Sequence, residues 1–194
     1  RARGAGADGM SARNGSHAAA HRAARDDRPA LITGGAGFVG CNLADRLLSS
    51  GRRVTVFDNL SRAGVERNLA WLRAKHGDRV AAVVADVRDA PALAAAARDA
   101  AEVYHFAAQV AVTTSLVDPV EDFEINARGT LNLLEAIRRL DDPPPVLFTS
   151  TNKVYGDLAD LPLARRASRY EPRDDAQRAS GVSEARPLDF HSPY

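Results

Sequence analysis

The chain predicts a doubly wound α/β domain, a parallel sheet covered by helices on both faces, and three observations carry that expectation. From Ala30 onward, short β-rich runs alternate with longer segments of helical period. Glycine or proline closes three of the four helical segments. The strand-to-strand connections are long enough for right-handed crossovers, which place helices on the faces of a parallel sheet.

The elements follow in order. "ALIT" (30–33) reads as a buried strand, and "FVGCNLADRLLSSG" (38–51) as a helix with Val39, Leu43 and Leu47 on one face and Gly51 as its stop. "RVTVFD" (53–58) is a second strand, and "GVERNLAWLRAKHG" (64–77) a helix that spaces Val65, Leu69 and Leu72 on one side. "RVAAVVAD" (79–86) is a third strand, "APALAAAARD" (90–99) a short helix, and "EVYHFAA" (102–108) a fourth strand. A long helix is expected over 119–140, where Phe123, Ala127, Leu131, Leu134 and Ile137 keep the 3.6-residue period until "DDPPP" breaks it. "VLFTS" (146–150) is a fifth strand. The segment after Thr151 is polar, rich in arginine and proline, and without sustained period, so it reads as a binding loop or a disordered stretch.

Composition narrows the function classes. Lys and Arg number 26 against 25 for Asp and Glu, so no basic field points to nucleic acid. No apolar run approaches the roughly 20 residues that span a bilayer. The single cysteine, Cys41, reads as a small packing residue and cannot form an internal disulfide, so a reducing cytoplasm is the expected compartment. His17, His21, His76 and His191 share no ligand spacing, so no metal is expected, and His105 reads as a satisfied core histidine. Trp71 and Leu72 read as anchors of their helix. Residues 1–29 hold six arginines and almost no large apolar residue, the composition of a disordered leader.

The chemistry begins at "TGGAGFVG" (33–40), where Gly34, Gly37 and Gly40 lie between the first strand and the first helix. Gly34 permits a tight turn, Gly37 lets the backbone approach a pyrophosphate, and Gly40 lets the helix pack on the strand. N–H groups at the helix start then hold the anion. Asp58 closes the second strand, where a carboxylate accepts hydrogen bonds from ribose hydroxyls and repels a 2′-phosphate. NAD is therefore favoured over NADP, although Arg62 lies near enough to pair with a 2′-phosphate.

Together "TGGAGFVG", "FDNLSR", "ADVRD", "HFAAQVAV", "INARGTLNLLEA" and "FTSTNKVYGD" resemble the extended short-chain dehydrogenases, the NAD-dependent nucleotide-sugar epimerases and dehydratases. The resemblance covers residues 30 to 194, the N-terminal part of that family's usual chain. It implies a Rossmann domain over 30–156, and over 157–194 a substrate-side loop and the start of the catalytic helix, the last strand and the substrate lobe lying beyond. "DNLSRAGVERNLAWL", "STNKVYGDL" and "PLDFHSPY" are most similar to the CDP-paratose (CDP-tyvelose) 2-epimerase branch. It further implies that Phe38 and Val39 of the turn and Asn59 beside Asp58 belong to the cofactor site, and that Asp86 and Val87 line the adenine pocket. Ala107, Ala108 and Gln109 would lie along the cofactor, with Asn126 supporting them from the long helix.

Thr151 matches the family's catalytic Ser/Thr, three residues before "VYG". The sugar 4,6-dehydratases place Asp-Glu after that threonine, an acid and a base for eliminating water, whereas this chain has Asn152 and Lys153. Dehydration is thereby disfavoured. Lys153 could contact substrate or simply be solvated.

Tyr194, after "HSP", falls at the acid/base of the family's Y-x-x-x-K motif. A free tyrosine has a pKa of about 10, with roughly a thousandth ionised at pH 7, and a lysine at i+4 on one helix stabilises the phenolate. That lysine would come four residues after the last one, so the 194-residue chain is expected to be a fragment that does not turn over. The expected parent is an NAD-dependent nucleotide-sugar epimerase, a homodimer acting on a CDP-sugar. The alternatives are a non-catalytic NAD-binding fragment or a UDP-glucose 4-epimerase-like enzyme.

Overall fold

The computed structural model describes residues 27–151 and 154–189, in two compact units that meet in sequence between Phe148 and Thr149. Asn152, Lys153 and Tyr194, and most of the expected leader, lie outside the described residues.

The first unit holds five parallel strands: β1 (Ala30–Thr33), β2 (Val54–Asp58), β3 (Val80–Val84), β4 (Glu102–His105) and β5 (Val146–Phe148). Between them run α1 (Phe38–Ser49), α2 (Val65–His76), a 3₁₀ turn (Gly77–Arg79), α3 (Ala90–Arg98), α4 (Val112–Val117), α5 (Pro119–Phe123), a π-helical turn (Glu124–Arg128) and α6 (Gly129–Arg138). The strand order is β3-β2-β1-β4-β5. This is the expected doubly wound sheet, and its order reverses between β1 and β4, where open α/β sheets bind their ligands. In register, Thr33 lies opposite Phe57 on one side and His105 on the other, so the carboxyl ends of β1, β2 and β4 are level.

Alternation along the strands divides the core. Ile32 and Val56 pack beneath α1 and α2 with Ala44, Leu48, Leu69 and Leu72. Leu31 and Phe57 face the other way, against Leu93 of α3 and Leu133 and Ile137 of α6. A strand buried on both faces needs an unbroken apolar run, which is why "ALIT" shows no polar alternation.

Several expectations are corrected in detail. The fully buried residues of α1 are Gly40, Cys41, Ala44 and Leu48; Leu43 and Leu47 of the expected face are half-buried against the same core, while Val39 is exposed. At its start the helix lies against the glycine turn: a Cβ on Gly40 would come within 2.7 Å of Gly35 Cα, so no side chain fits there. Trp71 is half exposed under the Lys75 ammonium, 4.9 Å from its ring centre, and Leu72 is the buried anchor. The long helix is interrupted. Gly129, Leu133 and Ile137 are its buried residues, whereas Phe123, Leu131 and Leu134 are exposed. The fourth strand ends at His105, three residues earlier than expected, and α4 follows in a stretch whose pattern predicts no element.

The second unit contains an antiparallel hairpin of β6 (Leu163–Arg165) and β7 (Tyr170–Pro172), followed by α7 (Asp175–Ser180). The expected loop therefore has structure of its own. Its sequence hides this because three-residue strands are too short to show a period, and ion pairs such as Arg169 to Glu171 at 2.7 Å replace apolar burial. Among the described residues no helix is long and apolar enough to cross a membrane.

Candidate cofactor site

The glycine turn forms at the end of β1. Gly34 adopts φ +67°, donates its N–H to Phe57 O at 2.8 Å, and accepts at its own carbonyl from Gly37 N at 3.1 Å. The four glycines serve two purposes. A Cβ on Gly34 would sit 2.8 Å from Ala107 N, and one on Gly35 would sit 2.8 Å from Ile32 O, so with Gly40 these positions answer to protein packing. A Cβ on Gly37 meets one atom within 4 Å, Gly34 O at 3.2 Å, and otherwise projects into open space. Gly37 is thus the place where a missing side chain leaves backbone accessible to a ligand. It is also the N-cap of α1 without a side-chain cap, and the first N–H groups of that helix, at Phe38 and Val39, have no intrahelical acceptor.

Asp58 ends β2 beside this turn. Its Oδ2 accepts from Ala36 N at 3.0 Å and its Oδ1 from Leu60 N at 2.9 Å. A carboxylate has about four lone-pair sites, so it can tie down the glycine turn and still accept from ribose hydroxyls. Asn59 turns the other way and donates to Asp86 Oδ2 at 2.8 Å, bridging the loops that follow β2 and β3. The Arg88 side chain grips the Asp86 carboxylate with Nε and Nη2, both at 2.9 Å. That grip, opposed by burial and aided by the Arg88 N–H and Asn59, holds the Asp86 carboxyl down to about 2. Val87 is buried, and a Cβ on Gly129 would fall 2.6 Å from its Cγ2.

The turn after β4 holds Ala107, Ala108 and Gln109. Asn126 clamps it with both amide atoms: Gln109 N donates to Asn126 Oδ1 at 2.8 Å, and Asn126 Nδ2 donates to Gln109 O at 3.1 Å. Asn126 Nδ2 also donates to Asp122 Oδ1 at 3.1 Å, which takes a further bond from Ser115 Oγ at 2.7 Å. Asn126 stands at the centre of the π-helical turn, a distortion that often marks functional sites.

Beneath the turn runs a buried polar chain that sequence reasoning did not identify. Ala107 N donates to Thr33 Oγ1 at 3.2 Å, Thr33 Oγ1 meets His105 Nδ1 at 2.6 Å, and His105 Nε2 meets Thr130 Oγ1 at 3.0 Å. Thr130 Oγ1 then donates to Asn126 O at 2.6 Å. His105 is a satisfied core histidine, as its place at the end of an apolar strand implies, and burial pushes its pKa down to about 4. The available signal is faint: two polar residues, Thr33 and His105, each ending an apolar strand.

Thr151 belongs to the second unit, where it is exposed and its carbonyl accepts from Val154 N at 3.3 Å. Nearby, Asp189 N donates to Val154 O at 2.9 Å, and Gly156 at φ +61° lies against the Asp189 carboxylate. The described residues of the first unit therefore bring together Gly34, Gly37, Asp58, Asn59, Asp86 and the Ala107–Gln109 turn with Asn126. Among the described residues no three His, Cys, Asp or Glu side chains form a metal-binding group. Cys41 is buried, and burial followed by the nearby Asp45 charge raises its thiol pKa, which suits packing rather than reaction.

The glycine turn, with open space at Gly37 and the Asp58 carboxylate at the neighbouring strand end, fits a dinucleotide. A family model described as GDP-mannose 4,6 dehydratase matches residues 31–174. The chain is 44% identical over 170 residues to CDP-paratose 2-epimerase of Salmonella typhi, covering 84% of this chain and 48% of that one. Among solved structures, UDP-glucose 4-epimerase of Stenotrophomonas maltophila, with bound NAD and formylated UDP-arabinopyranose, superposes with a TM-score of 0.63 at 28% identity, over 86% of this chain and 44% of that one. The Thermus thermophilus UDP-glucose 4-epimerase in complex with NAD gives 0.59 at 35% identity, over 78% and 48%. The chain spans about half the length of these relatives.

Proposed function

The chain belongs to the NAD-dependent epimerase/dehydratase family, and on that premise we propose that it is the cofactor-binding part of an NAD-dependent nucleotide-sugar epimerase acting on a CDP-sugar. The observation that carries the cofactor assignment is the Gly37 opening beside Asp58 at the point where the strand order reverses. The 44% identity to a CDP-paratose 2-epimerase supports the CDP-sugar.

NAD, when bound, supplies the hydride acceptor and donor. Gly37 and the α1 N–H groups at Phe38, Val39 and Gly40 would hold the pyrophosphate, and Asp58 the adenosine ribose. Asn59, Asp86 and Val87 would border the adenine, and Ala107, Ala108 and Gln109 the rest of the cofactor, held in place by Asn126. The Thr151 hydroxyl would hydrogen-bond the sugar hydroxyl while Tyr194 takes its proton, aided by a lysine four residues further along the whole protein. Asn152 and Lys153 in place of an acid and base favour epimerisation over dehydration. Val120, Phe123, Leu131 and Leu134 form an exposed apolar face of α5 and α6, and this is where a second copy would pair in a homodimer.

The direct test is interconversion of CDP-paratose by the whole protein without added NAD. Turnover on retained cofactor is the expected result, and consumption of one NAD per product would make the enzyme a dehydrogenase instead. The solved UDP-glucose 4-epimerases favour a second reading, a UDP-sugar 4-epimerase. Preference for UDP-glucose over CDP-paratose in the same assay would select it.

A further inference from the structure

The buried chain beneath the Ala107–Gln109 turn has a single self-consistent direction. The Asn126 carbonyl can only accept, so the Thr130 hydroxyl proton is committed to it at 2.6 Å. Thr130 Oγ1 must then accept from His105, which puts a proton on Nε2. In the neutral ring Nδ1 is an acceptor, so Thr33 donates its hydroxyl proton there and offers a lone pair to Ala107 N–H. Every side-chain donor along the path has an acceptor.

The path also closes on itself. Its far end is the backbone carbonyl of Asn126, whose side chain holds Gln109 by both amide atoms. One residue therefore fixes both ends of a three-residue turn, Gln109 directly and Ala107 through Thr33, His105 and Thr130. These residues come from β1, β4 and the helix after the π turn, three elements joined by no local sequence contact. His105 is the link between them, buried to 2% exposure.

We propose that His105 is a positioning residue of the cofactor site, its neutral Nε2-protonated ring coupling Thr33 to Thr130 and thereby setting where the Ala107–Gln109 turn lies. The proposal rests on the reading of that crevice as an NAD site. A histidine kept only to fill core volume would need no fixed tautomer and would be replaceable by an apolar ring of similar shape. A positioning histidine would be replaced only by a side chain that presents one acceptor and one donor.

The test uses the 194-residue chain and NAD. Nitrogen NMR on the ligand-free wild type is expected to show the Nε2–H tautomer of His105 from roughly pH 5.5 to 8. The Nδ1–H tautomer, or an imidazolium, in that range overturns the proposal. His105→Phe and Thr130→Val each remove a link, and His105→Gln restores one acceptor and one donor. Amide exchange at Ala107 and Gln109, measured against Ile32 and Val56 in the sheet, is expected to quicken by about tenfold in the first two variants, the effect of losing one hydrogen bond. His105→Gln is expected to stay within about threefold of wild type by the same measure. The NAD dissociation constant, by calorimetry, is expected to move in parallel. Equal acceleration at all four amides reports a general loss of stability and overturns the proposal, as does unchanged NAD affinity in a folded His105→Phe. If Thr130→Val alone folds, its exchange pattern decides by the same criterion. Wild type that binds no NAD, yet shows the expected tautomer and exchange, overturns the cofactor reading and the positioning role with it.

Discussion

Asp58 and His105 end the two strands that flank β1, and each yields a measurable expectation. Asp58 holds Ala36 N–H and Leu60 N–H while facing the place proposed for a ribose. Asp58→Ala should weaken NAD by about tenfold to a hundredfold, the range for a hydrogen bond to a charged group, and should narrow the preference over NADP, since the carboxylate no longer repels a 2′-phosphate. Titration calorimetry with both dinucleotides reads this directly. His105 is held neutral, with a folded pKa of about 4 against about 6.5 in an unfolded chain. Above pH 6.5 neither state binds the proton. As the pH falls from about 6.5 towards 4 the unfolded chain takes it up and the native chain does not, so stability should drop by up to about 3 kcal/mol across that window and no further below it. Urea midpoints at pH 7.5 and 4.5 check the slope, which His105→Gln should flatten. Asp58 could be found in the sequence because its place is defined by spacing from the glycines. The role of His105 could not, because it depends on Thr33 and His105 lying opposite each other in a parallel pair, a register no local pattern encodes.

At the scale of the element, α1 and the interrupted helix show why periodicity reads some faces and misreads others. Apolar residues at 39, 43 and 47 mark a stripe on α1, of which Leu43 and Leu47 are half-buried against the core and Val39 is exposed, while the fully buried residues are Gly40, Cys41, Ala44 and Leu48, and Gly40 lies against the glycine turn with no room for a Cβ. Gly40→Ala should therefore overpack, costing about 1–3 kcal/mol and lowering the melting temperature by about 2–4 °C for each kcal/mol. Thermal unfolding followed by circular dichroism measures it. In the later helix the period from Phe123 to Leu134 follows a face that is apolar and exposed, while Gly129, Leu133 and Ile137 supply a second apolar face against the sheet. Two apolar faces on one helix look like one long unbroken helix. The π turn between α5 and α6 adds a residue to the helical turn without altering composition, so it leaves no trace in the pattern.

For the whole molecule, the parallel sheet, the crossover helices and the glycine turn all followed from repeated alternation and one motif, whereas the strand order comes from the structure alone and the small second unit is built of ion pairs and two short strands that carry no comparable signal. The exposed face of α5 and α6 carries its own expectation. Phe123→Glu and Leu134→Glu should change stability by less than about 0.5 kcal/mol in a monomer, yet convert a dimeric whole protein to monomers in sedimentation velocity. A stability loss without dissociation would count against pairing there. Finally, Gly34 has no room for a Cβ because Phe106 and Ala107 lie against it, so the turn after β1 and the turn after β4 are shaped to each other. Chimeras between relatives should respect that fit: residues 33–40 exchanged without 105–109 would join surfaces selected against different partners, and the two stretches should be inherited, and grafted, as one piece although residues 41–104 separate them.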